Sequence, residues 1–297
     1  MFLILAGVMS ASFTSTHYPE MSELSNDEFR ARYLGLRDDY LQDTMLSMFL
    51  SVSGNSGTDV PDSFDWREKN AKCVHPVRNQ GACGSCWAHG ASEVLSDRFC
   101  IHSNGQIDVT LSPQQLVDCD IMDHGCGGGF LTTPFIYYSL VGANTDDCYG
   151  EYVSGKTGQA SQTCFLTKWS CKAYKANLFS IKWLMNPEAI KEDIYNNGPV
   201  NTGFMVYEDF RNYQGGIYKH TSGSLLGGHA VKIVGWGNED GQEYWIVQNS
   251  WSADWGEKGF FRIAMGECGI DSGATSCLLY TSPSPRDLST SRMPSSA

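Results

Sequence analysis

The segment Gln80-Gly81-Ala82-Cys83-Gly84-Ser85-Cys86-Trp87 carries two thiols three residues apart, just ahead of a helical pattern. Ala88, Ala91, Leu95 and Phe99 recur at close to the spacing of one helix face, so a helix starts at Ser85 or Cys86, with Cys86 in its first turn. A thiol there meets the positive end of the helix dipole and unpaired N–H groups, which favour the thiolate and make Cys86 a candidate nucleophile. Attack on an acyl carbon also needs a base that later protonates the leaving amine, and a third group that orients the base. Two residues downstream have the right chemistry. His229, in Gly227-Gly228-His229-Ala230, stands at the entrance of a β-prone run 143 residues beyond Cys86, and Asn249 lies in Gln248-Asn249-Ser250-Trp251. On residues 80–87 alone other chemistries stay open: Cys86 as half of a disulfide, or Cys83 and Cys86 as a thioredoxin-type redox pair or half of a zinc site.

The elements that must hold these residues are legible in outline. Ser112-Pro113-Gln114-Gln115 reads as a capping box, with Ser112 as N-cap and Pro113 at the first helical position. A third helix runs from Asn186-Pro187 through Ile190 and Ile194 to a stop at Gly198-Pro199. Ala230–Val234, Tyr244–Val247 and Phe260–Ala264 are short β-prone runs separated by Gly, Asn and Asp. A helix-rich half followed by a β-rich half implies two lobes.

With 297 residues, 41% hydrophobic and 12% aromatic, the chain can bury a large core, and no run reaches the length of a membrane span. A net charge of −12 and the absence of any basic block exclude the electrostatic footprint of a nucleic-acid binder. Nine of the eleven cysteines fall between Cys73 and Cys171, a density that points to an oxidising compartment. Phe2 to Met9 is a short apolar run followed by Ser10-Ala11-Ser12, so residues 1–12 read as a secretory signal peptide. Residues 13–59 are polar, with one amphipathic patch from Glu28 to Leu34 and a Ser/Gly linker over Ser51–Thr58. Residues 276–297, Ser/Pro-rich from Cys277 onward, read as a disordered tail or sequence artefact outside the fold. No Asn-x-Ser/Thr sequon occurs.

Taken together, Cys83-Gly-Ser-Cys86-Trp87, Gly228-His229-Ala230 and Asn249-Ser250-Trp251, with Trp255-Gly256 beyond, resemble the signature of papain-like cysteine peptidases. Val60–Glu68, Ser92–Ile101, Gly198–Val200, Val206–Phe210, Gly216–His220 and Cys268–Asp271 are similar to the cathepsin B branch, and the resemblance spans about 60–271. It implies an α+β fold with a helix-rich N-terminal lobe, a β-barrel-like C-terminal lobe and an active-site cleft between them. It implies that Cys86 is the nucleophile, His229 its imidazolium partner and Asn249 the orienting group. Gln80 and the Cys86 backbone N–H would form the oxyanion hole, and Gly127, Gly128, Trp251 and Asp271 would bind substrate. The implied disulfides are Cys73–Cys100, Cys83–Cys126, Cys119–Cys164 and Cys148–Cys171. Neither a metal nor an organic cofactor is implied. Residues 28–35 are similar to peptidase pro-segments, so the resemblance implies a zymogen with pro-segment 13–59 and peptidase domain 60–275. Expected partners are protein and peptide substrates, the chain's own pro-segment and cystatin-like inhibitors. The enzyme is expected as a monomer in the secretory pathway, in a lysosome-like vacuole or secreted.

Two departures shape the expected activity. Cathepsin B owes its carboxydipeptidase activity to an occluding loop with paired histidines, whereas the stretch between Cys126 and Cys171 here is short and contains no histidine. An endopeptidase with weak or absent carboxydipeptidase activity is therefore expected. Asp271 stands where the specificity carboxylate of the pocket for the residue two before the scissile bond is sought, and a carboxylate there would accept Arg. His89 replaces the aromatic usual at its helix position, which reads as a packing variation.

Overall fold

The helix expected from Cys86 runs from Cys86 to His102, and every residue from Cys86 to Cys100 is buried, not only one stripe. The reason is its place between two cores. On one side it packs with Leu116, Phe135 and Tyr138 in a helix-rich core. On the other lies a β-rich core built around Phe210, Trp236, Trp245, Trp251 and Trp255. The computed structural model describes residues 13–37, 51–52, 57, 59–161, 164 and 171–279, so the expected signal peptide at 1–12 lies outside the described residues.

Among the described residues ten strands form one sheet: β1 Phe13–Ser15, β2 Ser51–Val52, β3 Phe64–Asp65, β4 Lys182–Leu184, β5 Val200–Tyr207, β6 Tyr213–Tyr218, β7 Leu225–Glu239, β8 Gln242–Gln248, β9 Phe260–Ala264 and β10 Ala274–Ser276. Their order is β1-β6-β9-β8-β7-β5-β10-β4-β2, with β3 on β7. β7 is much longer than the apolar run from Ala230 to Val234, so His229 is its fifth residue and sits inside the strand instead of at its entrance. Its neighbours β5, β8 and β3 are all antiparallel to it.

The helix Pro187–Asn197 forms as expected: Asn186 accepts the Ala189 N–H at 2.8 Å and the chain leaves the helix at Gly198 with φ of 108°. The helix Pro113–Cys119 also forms, but not its capping box, because Ser112 makes no side-chain cap bond. Gln115 is buried and its amide is spent elsewhere, accepting the Asn144 N–H at 2.7 Å and donating to the Gly142 carbonyl at 3.0 Å. Satisfying those buried loop groups outweighs a local cap.

The C-terminal boundary falls later than residue 275. β10 pairs with β4 and β5, Cys277 is buried, and Leu279 bridges to Ala176. Arg98 explains why. Fully buried in the central helix, it donates to Pro199 O at 2.8 Å, Gly198 O at 3.0 Å and Cys277 O at 2.7 Å, and pairs with Asp193. Residues 280–297 lie outside the described residues.

The segment 13–37 lies mainly on the β-rich lobe. β1 extends the sheet through β6. A helix Asn26–Tyr33 follows, with a reciprocal cap between Ser25 and Glu28. Phe29 and Tyr33 stack edge-on against Trp251, with ring centroids at 5.5 and 5.7 Å. Arg30 donates to Leu226 O at 2.6 Å and Leu225 O at 3.0 Å. Ser51 and Val52, expected in a linker, pair instead in parallel with Lys182 and Trp183.

Candidate active site

Cys86 stands at the first position of the central helix and His229 in β7, and a buried polar network fastens these two elements behind them. Lys232, three residues beyond His229, donates to Asp97 of the helix at 2.6 Å, and Asp97 also accepts from the His75 backbone N–H at 3.0 Å. Gln248, one residue before Asn249, donates to Glu93 of the same helix at 3.2 Å. Burial pushes the Glu93 carboxyl up to about 7. Nothing in the 2.0- or 3.6-residue periodicity marks Lys232 or Asp97 as partners, so sequence reasoning does not find this network.

The thiol and imidazole are placed by their neighbours' backbone. The Ala230 N–H donates to Cys86 Sγ at 3.3 Å. Asn249 Oδ1 lies 2.7 Å from His229 Nε2 and accepts the Ser250 backbone N–H at 2.8 Å. Because a backbone N–H can only donate, that Asn249 atom is the oxygen, so His229 Nε2 carries the proton toward it. The other ring nitrogen, Nδ1, is buried without a hydrogen-bond partner, its lone pair free to accept a proton. The Trp251 ring covers the imidazole, with centroids 4.7 Å apart and 33° between planes. Burial pushes the Cys86 thiol up to about 11 and the His229 imidazole down to about 4, each toward its neutral form.

Cys83 is bonded to Cys126, which leaves Cys86 as a free thiol and removes the redox-pair and zinc arrangements of Cys83 with Cys86. The other bonded pairs are Cys73–Cys100, Cys119–Cys164 and Cys148–Cys171. Cys268 and Cys277 are also free.

The Gln80 side chain is fixed at both ends of its amide. Its oxygen accepts from Ser250 Oγ at 2.7 Å, and its Nε2 donates to Cys83 O at 3.0 Å, Tyr33 O at 3.2 Å and Arg32 O at 3.3 Å. Two of those acceptors, Tyr33 O and Arg32 O, belong to the segment 13–37, which thus occupies this amide donor.

The same segment runs through the cleft. The Leu36 N–H donates to Gly228 O at 3.1 Å, the Arg37 N–H to Gly129 O at 3.0 Å and the Gly129 N–H to Gly35 O at 2.8 Å. The backbone partner is therefore Gly129, not Gly127, whose added Cβ would find only His124 nearby. A Cβ on Gly128 would stand 2.8 Å from Gly35 O, and one on Gly129 would run into Asp123 and Trp87. Gly127-Gly128-Gly129 marked the place but not which glycines meet the partner.

A pocket of about 330 Å³ opens beside this ladder, with Leu131, Trp183, Phe204, Met205, Ser272 and Gly273 among its walls and Leu36 against it. Asp271 does not line it. Its Oδ2 accepts from Trp245 Nε1 at 3.1 Å and from the Gly266 N–H at 2.8 Å, which turns the carboxylate into the lobe. The expected specificity carboxylate is thus an internal anchor, and the next two residues, Ser272 and Gly273, reach the pocket instead.

Residues 60–278 match the papain family cysteine protease model. The chain is 40% identical over 260 residues to cathepsin B-like cysteine proteinase 6 of Caenorhabditis elegans, covering 75% of this chain and 68% of that one. It is 42% identical over 223 residues to cathepsin B-like CP3 of Giardia intestinalis, covering 73% and 74%. Among solved structures it is similar to procathepsin B S9 from Trypanosoma congolense, with a TM-score of 0.80 and 28% identity over 91% of this chain and 94% of that one.

Proposed function

Because the chain belongs to the papain family of cysteine proteases, as a cathepsin B-like proenzyme, we propose that it is a secretory-pathway endopeptidase that cleaves peptide bonds through a thioester on Cys86. The observation that carries this reading is the single constellation of a free Cys86 thiol, an His229 with a bare Nδ1, and Asn249 fixing the opposite nitrogen. Cys86 Sγ gives its proton to His229 Nδ1 and attacks the carbonyl carbon. The carbonyl oxygen, now negative, takes hydrogen bonds from Gln80 Nε2 and the Cys86 N–H. Collapse breaks the C–N bond, the amine leaves with the proton from His229, and water then hydrolyses the thioester with His229 as base. Trp251 shields the imidazole and its Asn249 hydrogen bond.

In the proenzyme this chemistry is blocked by residues 32–37, which hold Gln80 Nε2, cover Cys86 and pair with Gly129 and Gly228. After their removal a substrate backbone takes the Gly129 ladder, and the residue two before the scissile bond enters the pocket walled by Leu131, Trp183, Phe204 and Met205. That pocket favours an apolar side chain over Arg, since Asp271 is turned away. The lack of histidine between Cys126 and Cys171 supports weak or absent carboxydipeptidase activity. The mature enzyme acts as a monomer in a lysosome-like vacuole or outside the cell, open to cystatin-like inhibitors. Processed protein should hydrolyse a Phe-Arg fluorogenic peptide faster than Arg-Arg, and Cys86→Ala should hydrolyse neither. Equal turnover by Cys86→Ala would overturn the reading.

A further inference from the structure

His89, in place of the expected aromatic, is fully buried one turn into the central helix. Its Nδ1 lies 3.0 Å from the Ser85 carbonyl and 3.3 Å from Ser85 Oγ. A carbonyl only accepts, so Nδ1 carries the proton, and Nε2, which is buried without a partner, is the bare nitrogen. Ser85 stands at the N-cap, where a serine hydroxyl ordinarily accepts from the helix backbone, yet it makes no cap bond. Its Oγ lies instead 2.7 Å from the Tyr152 hydroxyl. Tyr152 in turn donates to the Gln80 carbonyl at 2.9 Å, which commits its proton and leaves the serine as donor between the two, with the Cys83 carbonyl, at 3.3 Å, a second and longer acceptor for the same Ser85 proton. The protons therefore run one way, from His89 to Ser85, from Ser85 to Tyr152 and from Tyr152 to Gln80.

Two members of this chain matter to the oxyanion hole. One is Gln80, at its end; the other is Ser85, whose peptide bond leads into the Cys86 N–H. From the β-rich lobe, Ser250 holds the Gln80 N–H through its carbonyl at 2.8 Å and the side-chain oxygen through Oγ. From the helix-rich lobe, Tyr152 is what holds the Gln80 carbonyl. The stretch behind Tyr152 is itself seated: Gln114 Oε1 accepts the Val153 and Ser154 N–H groups at 2.9 and 3.0 Å, and the Ala82 N–H donates to Gly155 O at 2.8 Å. A Cβ on Gly155 would lie 2.8 Å from Gln80 O, so this stretch lies flush on the loop it supports.

We propose that His89, Ser85 and Tyr152 are positioning residues that lock the two oxyanion donors, Gln80 Nε2 and the Cys86 N–H, into one rigid unit. The inference rests on the oxyanion reading of Gln80. Burial keeps the Tyr152 hydroxyl up at about 12 and the His89 ring down at about 3, so neither changes charge in the working range and the unit is not a pH switch.

The test uses processed enzyme normalised by active-site titration, with variants Tyr152→Phe, Ser85→Ala, His89→Phe and Gln80→Ala. For each, three quantities are measured: kcat and KM on the Phe-Arg peptide, affinity for a peptide aldehyde, whose thiol adduct places an oxygen in the oxyanion hole, and the rate of Cys86 alkylation by iodoacetamide, which does not. Loss of an oxyanion donor outright costs about 100-fold or more, and loosening one should cost about tenfold. Tyr152→Phe is expected to lose about tenfold in kcat and in aldehyde affinity together, with KM and alkylation within about twofold. His89→Phe, which keeps a ring, should show a smaller loss of the same kind. Unchanged kcat and aldehyde affinity in Tyr152→Phe, or a parallel fall in alkylation, would overturn the proposal. If Tyr152→Phe gives no titratable enzyme, Ser85→Ala reads the same link by the same criteria. An unaffected Gln80→Ala would overturn the oxyanion reading itself, whereas a weakened Gln80→Ala beside an unaffected Tyr152→Phe overturns only the positioning role.

Discussion

Gly35 and Gly129 meet backbone to backbone across the cleft: the Gly129 N–H donates to Gly35 O at 2.8 Å, and a Cβ added to Gly35 would stand 2.0 Å from the Gly84 carbonyl. The pro-segment thus passes over Cys86 at a point where only a residue without a side chain fits.

Gly35→Val should therefore lift the cover without touching the mature enzyme. In the intact zymogen, iodoacetamide should alkylate Cys86 at least about tenfold faster than in the parent, since a contact under 3 Å with backbone forces the strand away. After processing the two proteins should be indistinguishable. Alkylation of the zymogen at an unchanged rate would show that the cover does not depend on this approach.

Asp271 should behave as an anchor. Its replacement by Ala leaves the Trp245 indole N–H and the Gly266 N–H without their acceptor, which costs about 1–3 kcal/mol of stability. The ratio of Phe-Arg to Arg-Arg turnover on folded enzyme should not change. A ratio shifted against Arg with stability intact would place the carboxylate in the pocket after all.

Asp120 and Asp123 give the fold a preference for acid. Burial raises both carboxyls, and for Asp123 the neighbouring Asp120 raises it further. Folded values above the unfolded ones mean that the pair's contribution is fully present below the ordinary carboxylate range and is lost as pH rises through neutrality. Asp123 also accepts the Phe130 N–H at 2.8 Å and the Thr133 hydroxyl at 2.8 Å, two bonds that favour the charged form and oppose the rise without cancelling it. Melting temperatures across pH 4 to 8 should fall for the parent, and Asp123→Asn should flatten that slope. Parallel slopes would remove the pair from the account.

Truncation after Thr275 should lower the melting temperature, because it strips the Cys277 carbonyl from Arg98 and the Leu279 bridge from Ala176. A hydrogen bond to a charged group contributes about 1.5–3 kcal/mol, several degrees for a domain of this size. A truncated protein that melts with the parent would put the boundary back at residue 275.

How far the sequence speaks depends on how local the signal is. The start of the central helix, the Asn186 cap with its Gly198 stop, and the strands after His229 follow from periodicity and caps within a dozen residues. The Ser112 box failed because Gln115 answers to a loop nearly thirty residues away. The tail misled because Ser/Pro composition dominates it, while the reason Cys277 folds inward is the Arg98 side chain in a distant helix. The place of Asp271 after Cys268-Gly269-Ile270 points to the pocket, but the 3₁₀ turn Glu267–Gly269 aims the following residues, and Ser272 and Gly273 line the pocket instead. His89 was legible as an oddity, not as a donor.

The proposed latent Cys86 nucleophile, covered by residues 32–37, is tested by intact-mass spectrometry with peptide mapping after a thiol-directed epoxide is added to zymogen and to processed enzyme. One adduct, on Cys86, is expected in the processed enzyme and essentially none in the zymogen over the same time. Adducts on Cys268 or Cys277 in place of Cys86, or equal labelling of Cys86 in both forms, would contradict it.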